Sequence, residues 1–329
     1  MTVDSQAPVS TATLPVVRKV LSGLYRFRAL VALLALIIAL SFLSDVFLTL
    51  QNFLNVGQQV AVLSIVALGA TFVIISGGID LSVGAVLAVS AAVFAAAFAE
   101  FGLAWPLAAA IGLSVGAIFG AANGLGIVYG RLPPFIATLA TLSIARGLAL
   151  VVTGGRPISG FPDSFRWIAG RELPFDLPSS VLLTLVLFAI GSIVLRRTIY
   201  GRATYAVGGN EEATRRAGIS PKKTKIAIYT FAGALAALGG LVLTARLNSA
   251  QPQAGVALEL DVIAAVVIGG ASLSGGVGTV FGTLIGALII GFLRNGLNLL
   301  NVSSFWQQVV VGVVIAAAVM SDTLRRRRR

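Results

Sequence analysis

The 329-residue chain contains no cysteine and no histidine. Without cysteine there is no disulfide and no thiolate site. Without histidine it lacks the commonest metal ligand and the one side chain that titrates near neutral pH. Charge is scarce as well: Asp, Glu, Lys and Arg together make up 11%, against roughly 25% in ordinary soluble domains. No lysine follows a glycine anywhere, which excludes a Walker A phosphate loop and ATP hydrolysis by that route. No catalytic dyad, zinc motif or nucleophile elbow is visible, so neither a catalytic nor a metal site is expected. Pumps and secondary carriers use buried acids or histidines for ion coupling. This chain offers only Asp45, Asp80, Glu100, Glu259 and Asp261 near span ends.

What is present is apolar. Hydrophobic residues make up 57% of the chain and the mean hydropathy is +0.97. Runs of about 20 apolar residues, each long enough to cross a bilayer, recur from one end to the other. The reading is an all-α polytopic membrane protein with about ten spans, near 29–48, 56–76, 81–99, 105–127, 133–153, 179–195, 226–247, 258–273, 277–296 and 305–321. The eighth is the weakest, about 16 residues ending in a Ser/Gly-rich stretch, and a re-entrant segment is the other reading of it. The first run starts near Ala29, too far in and too long for a cleaved signal peptide.

An even number of spans puts both termini on one side, and the basic residues decide which. Eighteen of the 24 fall on that side, including Arg18, Lys19, Arg26, Arg28, Arg131 and Arg325 to Arg329. The positive-inside rule therefore places both termini in the cytoplasm. It is also the plain explanation of the formal charge of +12, since the charges lie between apolar spans rather than in a nucleic-acid patch. The chain then divides into a cytoplasmic tail (1–28), a membrane domain (29–321) and a basic cytoplasmic tail (322–329). Within the membrane domain lie a long cytoplasmic loop (196–225) and a Pro-rich external loop (154–178). The terminal arginine run suits an orientation signal or a contact with lipid headgroups.

The long polar loop carries eight of the basic residues and contains a compact helix signal. Asn210 is a good N-cap, Glu211 and Glu212 sit where the helix dipole favours anions, and Arg215 and Arg216 where it favours cations. Gly218 follows as the residue beyond the C-cap, and Pro221 stops further winding. Glu211 with Arg215, and Glu212 with Arg216, are i,i+4 pairs in the favoured orientation. So short a helix is marginal alone in water, which points to a partner protein on the cytoplasmic side.

Two further stretches stand out. In Gly77-Gly78-Ile79-Asp80-Leu81-Ser82, a double glycine ends one span and Asp80 caps the next through backbone N–H groups near Ser82. Gly269-Gly270-Ala271-Ser272-Leu273-Ser274 repeats the pattern of two glycines, two residues and Leu-Ser, as an internal repeat or by chance. Polar residues in or beside the spans face the bundle interior or an aqueous path. These are Gln58, Gln59, Asp80, Ser82, Asn123, Thr138, Thr141, Arg146, Ser272, Ser274, Asn295 and Asn298, and together they suit an uncharged polar solute better than an ion. Glycines at four-residue spacing, Gly112 to Gly124 and Gly278 to Gly286, let helix backbones approach closely.

Taken in order, GGIDLSVGA (77–85), NGLGIVYGRLPPFIATLATLSIARGLA (123–149), VGGNEEATRRAGI (207–219) and ELDVIAAVVIGGASLSGGVGTVFGTLIGA (259–287) resemble the permease subunits of ribose-type ABC sugar importers. The likeness runs from about Asn52 to Asp322. It implies a type II importer-like bundle that pairs with an identical or related permease subunit. A cytoplasmic ATPase binds ATP and Mg and grips the Asn210 to Gly218 coupling helix, so this chain holds no cofactor of its own. A periplasmic or lipid-anchored binding protein delivers the sugar. Within the same superfamily, branched-chain amino acids, nucleosides and signalling furanones remain alternative solutes. From other classes, an ion-coupled carrier or a channel remains open, and an integral membrane enzyme is the weakest reading.

Overall fold

In a computed structural model, residues 28–170, 172–173 and 177–326 are described. Residues 1–27, Arg171, residues 174–176 and Arg327 to Arg329 lie outside them, and with them nearly all of the predicted N-terminal tail, the cationic residues Arg18, Lys19 and Arg26, and the end of the basic run. The chain is mostly helical: α1 Arg28–Leu43, α2 Leu50–Ile75, α3 Val83–Ala99, α4 Trp105–Val128, α5 Pro134–Thr153, α6 Asp163–Gly170, α7 Ser179–Arg197, α8 Ile199–Gly209, α9 Glu211–Arg216, α10 Pro221–Leu247, α11 Leu258–Ile268, α12 Val280–Leu299 and α13 Ser304–Arg326. The strands are two-residue pairings, β1 (Ile158–Ser159) with β4 (Ser249–Ala250) and β2 (Glu172–Leu173) with β3 (Leu177–Pro178).

Each predicted span overlaps a helix, though not each helix is long enough to cross a membrane. Among the described residues, α2, α4, α5, α7, α10 and α12 are long and apolar enough to cross a membrane. Shorter apolar helices run over Ala29–Leu43, Val83–Ala99 and Ser304–Ala317. The eighth segment is corrected: α11 is an 11-residue helix, about 16 Å at 1.5 Å per residue and so about half of a bilayer core. Left-handed backbone at Ala257 (φ 64) and Gly270 (φ 99) bounds it. The segment 154–178, read from the sequence as an external loop, is not wholly irregular. It contains α6, whose Phe165 packs against Phe94 and Phe161 with ring centroids 4.6 and 5.4 Å apart.

The centre of the bundle is α2, α3 and α10. α3 is built almost wholly of Ala, Val and Gly and is buried on all sides. That composition explains its place, because small side chains let four neighbours close on one helix. The glycine ladder of α4 does the same against α10. A Cβ on Gly116 would overlap the Gly233 carbonyl oxygen, and one on Gly233 would overlap that of Gly116. On α12, Gly282 and Gly286 meet the backbone of Gly269 and Ala265 in the same way. Phe72, Phe94, Leu68, Leu87 and Tyr229 are fully buried between these helices.

Candidate functional site

The segment 76–82 links α2 to α3 and carries Asp80 into the bundle. One Asp80 carboxylate oxygen accepts from the Ser82 backbone N–H at 2.8 Å and from the Ser82 hydroxyl at 2.6 Å. The N-cap residue of α3 is Ser82 rather than Asp80, and Asp80 holds it from the preceding turn. Asn123 on α4 donates its amide to Ser82 Oγ at 3.0 Å, and Thr141 on α5 donates its hydroxyl to Asn123 Oδ1 at 2.6 Å. The result is a directed chain, Thr141 to Asn123 to Ser82 to Asp80, in which each group donates to the next. All four are buried. Beside it, the Ile79 carbonyl accepts from the Tyr229 hydroxyl at 3.3 Å and lies 3.4 Å from the Thr138 hydroxyl, which donates more closely to the Pro134 carbonyl at 2.9 Å. Four of the pathway residues read from the sequence, Asp80, Ser82, Asn123 and Thr138, are thus brought together with Thr141. Tyr229 was not among them; a hydroxyl within the apolar run 226–247 was the available signal.

Arg146 lies about 18 Å along α5 from Pro134. Its guanidinium donates to the carbonyls of Pro252 at 2.7 Å and Ala254 at 2.8 Å, pinning the segment that leads into α11. The start of α11 therefore sits against the start of α3, where a Cβ on Gly84 would overlap the Gly255 carbonyl oxygen. Two helices begin here: the first turn of α3 is buried, whereas Val256 and Leu260 at the start of α11 are exposed. Asp261 on α11 takes both oxygens to Arg294 on α12, at 2.7 and 2.8 Å.

The other predicted residues lie elsewhere. Asn295 forms a reciprocal amide pair with Asn52, at 2.8 and 3.1 Å, and the Asn52 amide also donates to the Phe47 carbonyl at 2.9 Å; the rings of Phe47, Phe53 and Phe292 pack on one another. Gln58 and Gln59 belong to the opposite end of α2, where the Gln58 carbonyl receives Arg246 at 3.4 Å and Gln59 is exposed. Ser272 and Ser274 occupy the tight turn between α11 and α12, and Asn298 is exposed near the end of α12. A cavity of about 300 Å³ between α6 and the end of α10 is lined by Asp163, Arg166, Trp167, Gly170, Ala245 and Arg246, none of them a predicted pathway residue.

At the end of the bundle where α10 begins, α9 stands as a six-residue helix. Asn210 Oδ1 accepts from the Ala213 N–H at 2.9 Å, and Gly218 is left-handed at φ 82. Of the two expected ion pairs Glu212–Arg216 forms and Glu211–Arg215 does not. Glu212 takes both arginines, Arg215 at 2.7 Å and Arg216 at 3.3 Å, while Glu211 reaches Lys225 on α10 at 2.6 Å. The cause is the turn at Gly218, which brings α10 back beside Glu211. Hydrogen bonds from the Arg215 guanidinium, and then its charge, hold the Glu212 carboxyl below its ordinary value. Only Thr214 faces inward, and the four charged side chains face out. The sequence reading missed α8, whose N-cap Thr198 accepts from the Gly201 N–H at 3.2 Å.

Residues 52–319 match the model of the family described as the branched-chain amino acid transport system/permease component. The chain belongs to this permease family. Over 291 residues the permease is 50% identical to the ribose import permease protein RbsC of Bacillus subtilis (strain 168), covering 88% of this chain and 90% of that one. It is 47% identical to RbsC of Escherichia coli (strain K12), over 91% and 94% of the two chains. To the L-arabinose transport system permease protein AraH of the same strain it is 37% identical, over 92% of each. No solved structure matches it significantly. Membership of this family, with several apolar helices, fits a multi-pass protein of the bacterial inner membrane.

Proposed function

We propose that the permease is the membrane pathway of an ATP-driven importer of a monosaccharide, with ribose the first solute to test. The observation that carries this reading is its 47–50% identity to two ribose import permeases over about nine-tenths of each chain. In this account both termini and α9 face the cytoplasm, and α9 is the contact for a separate ATPase subunit that binds ATP and Mg. Exposed charges on so small a helix suit a complementary groove better than a water-facing loop. A periplasmic or lipid-anchored binding protein hands sugar to the opposite end, and a second permease subunit completes the pathway.

The relay of Thr141, Asn123, Ser82 and Asp80 is the proposed sugar-sensing part. Its hydroxyls, amide and carboxylate match the alternating donors and acceptors of a sugar. It lies beside the buried start of α3, which the segment leading into α11 touches at Gly84, and interrupted helices are a common design in transporters. Arg146 holds the α11 segment against it. Asn295 and Asn52 satisfy each other and serve packing.

The test is the double variant Glu211→Lys/Glu212→Lys, purified in mild detergent from membranes that also hold the ATPase. The expected result is normal insertion, loss of the ATPase from the purified complex, and loss of sugar uptake. Full recovery of the ATPase with normal uptake would sink the assignment of α9.

A further inference from the structure

Three glycine-containing stretches meet at the end of the bundle that carries α9. Gly208, near the end of α8, has no room for a side chain: a Cβ there would overlap the Ile75 carbonyl oxygen and lie 2.7 Å from the Gly276 nitrogen. A Cβ on Gly275 would lie 2.6 Å from the Gly208 oxygen and 2.9 Å from the Gly77 nitrogen. The Gly276 N–H donates to the Ile75 carbonyl at 2.8 Å, which ties the α11–α12 turn to the last residue of α2. Tyr205, one turn back on α8, donates its hydroxyl to the Gly278 carbonyl at 2.7 Å. Gly77 and Gly275 are both left-handed, at φ 81 and 85, a conformation that costs glycine little.

We infer that this junction carries displacement of α9 to the polar relay, with Gly208 and Tyr205 as its positioning residues. A single residue, Asn210, separates α8 from α9. Backbone touching backbone leaves no side chain that could rotate to absorb a shift, and packed interiors transmit strain. A push on α8 therefore moves the end of α2 and the α11–α12 turn together. From Gly77 and Gly78 the chain passes directly into Ile79, Asp80 and Ser82, the relay and the start of α3. From the turn it passes back through Gly269 into α11, whose other end touches α3 at Gly84. One displacement at α8 so reaches the starts of both α3 and α11. The inference rests on the reading of α9 as the ATPase contact.

The experiment uses the complete complex of permease, ATPase and binding protein in proteoliposomes, with labelled ribose and MgATP. Recovery of the ATPase, ATP hydrolysis and sugar moved per ATP are measured for the unaltered protein, Gly208→Ala and Tyr205→Phe. Recovery and hydrolysis should stay near normal in both. Sugar moved per ATP should fall about tenfold in Gly208→Ala and several-fold in Tyr205→Phe, within the usual range of coupling between sites. Unchanged sugar per ATP in the folded variants overturns the inference. If Gly208→Ala does not fold, Tyr205→Phe decides alone, because it deletes one oxygen and adds no volume. The double variant Glu211→Lys/Glu212→Lys separates the two failures. Loss of the ATPase there beside a normally coupled Tyr205→Phe refutes the junction and keeps the reading, whereas full recovery of the ATPase refutes the reading and the junction with it.

Discussion

Asn123 is the middle of the relay, accepting from Thr141 at 2.6 Å and donating to Ser82 at 3.0 Å. Asn123→Leu keeps much of the volume and removes both bonds. Thr141 then has no acceptor across the helix interface and falls back on its own helix, as buried threonines do elsewhere in this bundle. Ser82 keeps its bond to Asp80 but loses a donor. A buried group left without its partner costs about 1–3 kcal/mol, whereas hydrogen bonds between membrane helices average about 0.6 kcal/mol and reach about 1.7. The second range is the relevant one here, because the unfolded reference is also in the membrane. The expected loss for two bonds is then about 1–3 kcal/mol. The assay is a double-mutant cycle with Thr141→Val, read from unfolding in mild detergent. A coupling energy of about 0.6–1.7 kcal/mol between the two positions is the expected outcome. Strict additivity would show that the Thr141–Asn123 bond contributes nothing, and the relay would lose its first link. Sugar uptake by Asn123→Leu should fall well beyond what the lost stability explains.

Asn295→Leu removes both bonds to Asn52, which keeps its bond to the Phe47 carbonyl at 2.9 Å, and should destabilise the permease by about 1–3 kcal/mol; uptake stays normal, as measured by thermal unfolding beside transport. Gly233→Ala places a methyl against the Gly116 carbonyl and should cost about 1–3 kcal/mol by overpacking α4 on α10, visible as a lower unfolding temperature in detergent. The Glu212 carboxyl lies below its ordinary value of 4.5 because of Arg215. A depressed carboxyl contributes fully above that ordinary value and is lost as the pH falls through its folded value. Binding of the ATPase should therefore be flat between about pH 6 and 8 and weaken only in acid below the ordinary value; a transition near neutral pH would implicate another group.

Much of this was legible because the signals are local. Apolar run length marked the helices, the Gly77-Gly78 break with Asp80 and Ser82 marked the start of α3, and Asn210 with Gly218 marked both ends of α9. What failed to show depends on contacts between distant segments. Glu211 prefers Lys225 only because the chain turns back at Gly218. Asn295 looks like a pathway residue until Asn52, far away in sequence, closes on it. The short span 258–273 stops at Ile268 because Gly269 lies against Gly282 of α12 and Gly270 is left-handed, a fact of packing rather than of hydropathy. α6 was hidden in a Pro-rich loop, since the phenylalanines that anchor it pack on α3. The repeated Gly-Gly-x-x-Leu-Ser stretches, uninformative in the sequence, lead into segments that touch at Ile75 and Gly276.

The measurement that bears most directly on the central claim is uptake of labelled ribose into proteoliposomes holding the permease with its ATPase, with a binding protein outside. The account predicts uptake that requires MgATP inside and that persists when ionophores collapse every ion gradient. Uptake by the permease alone, driven by an imposed gradient and indifferent to ATP, would contradict it.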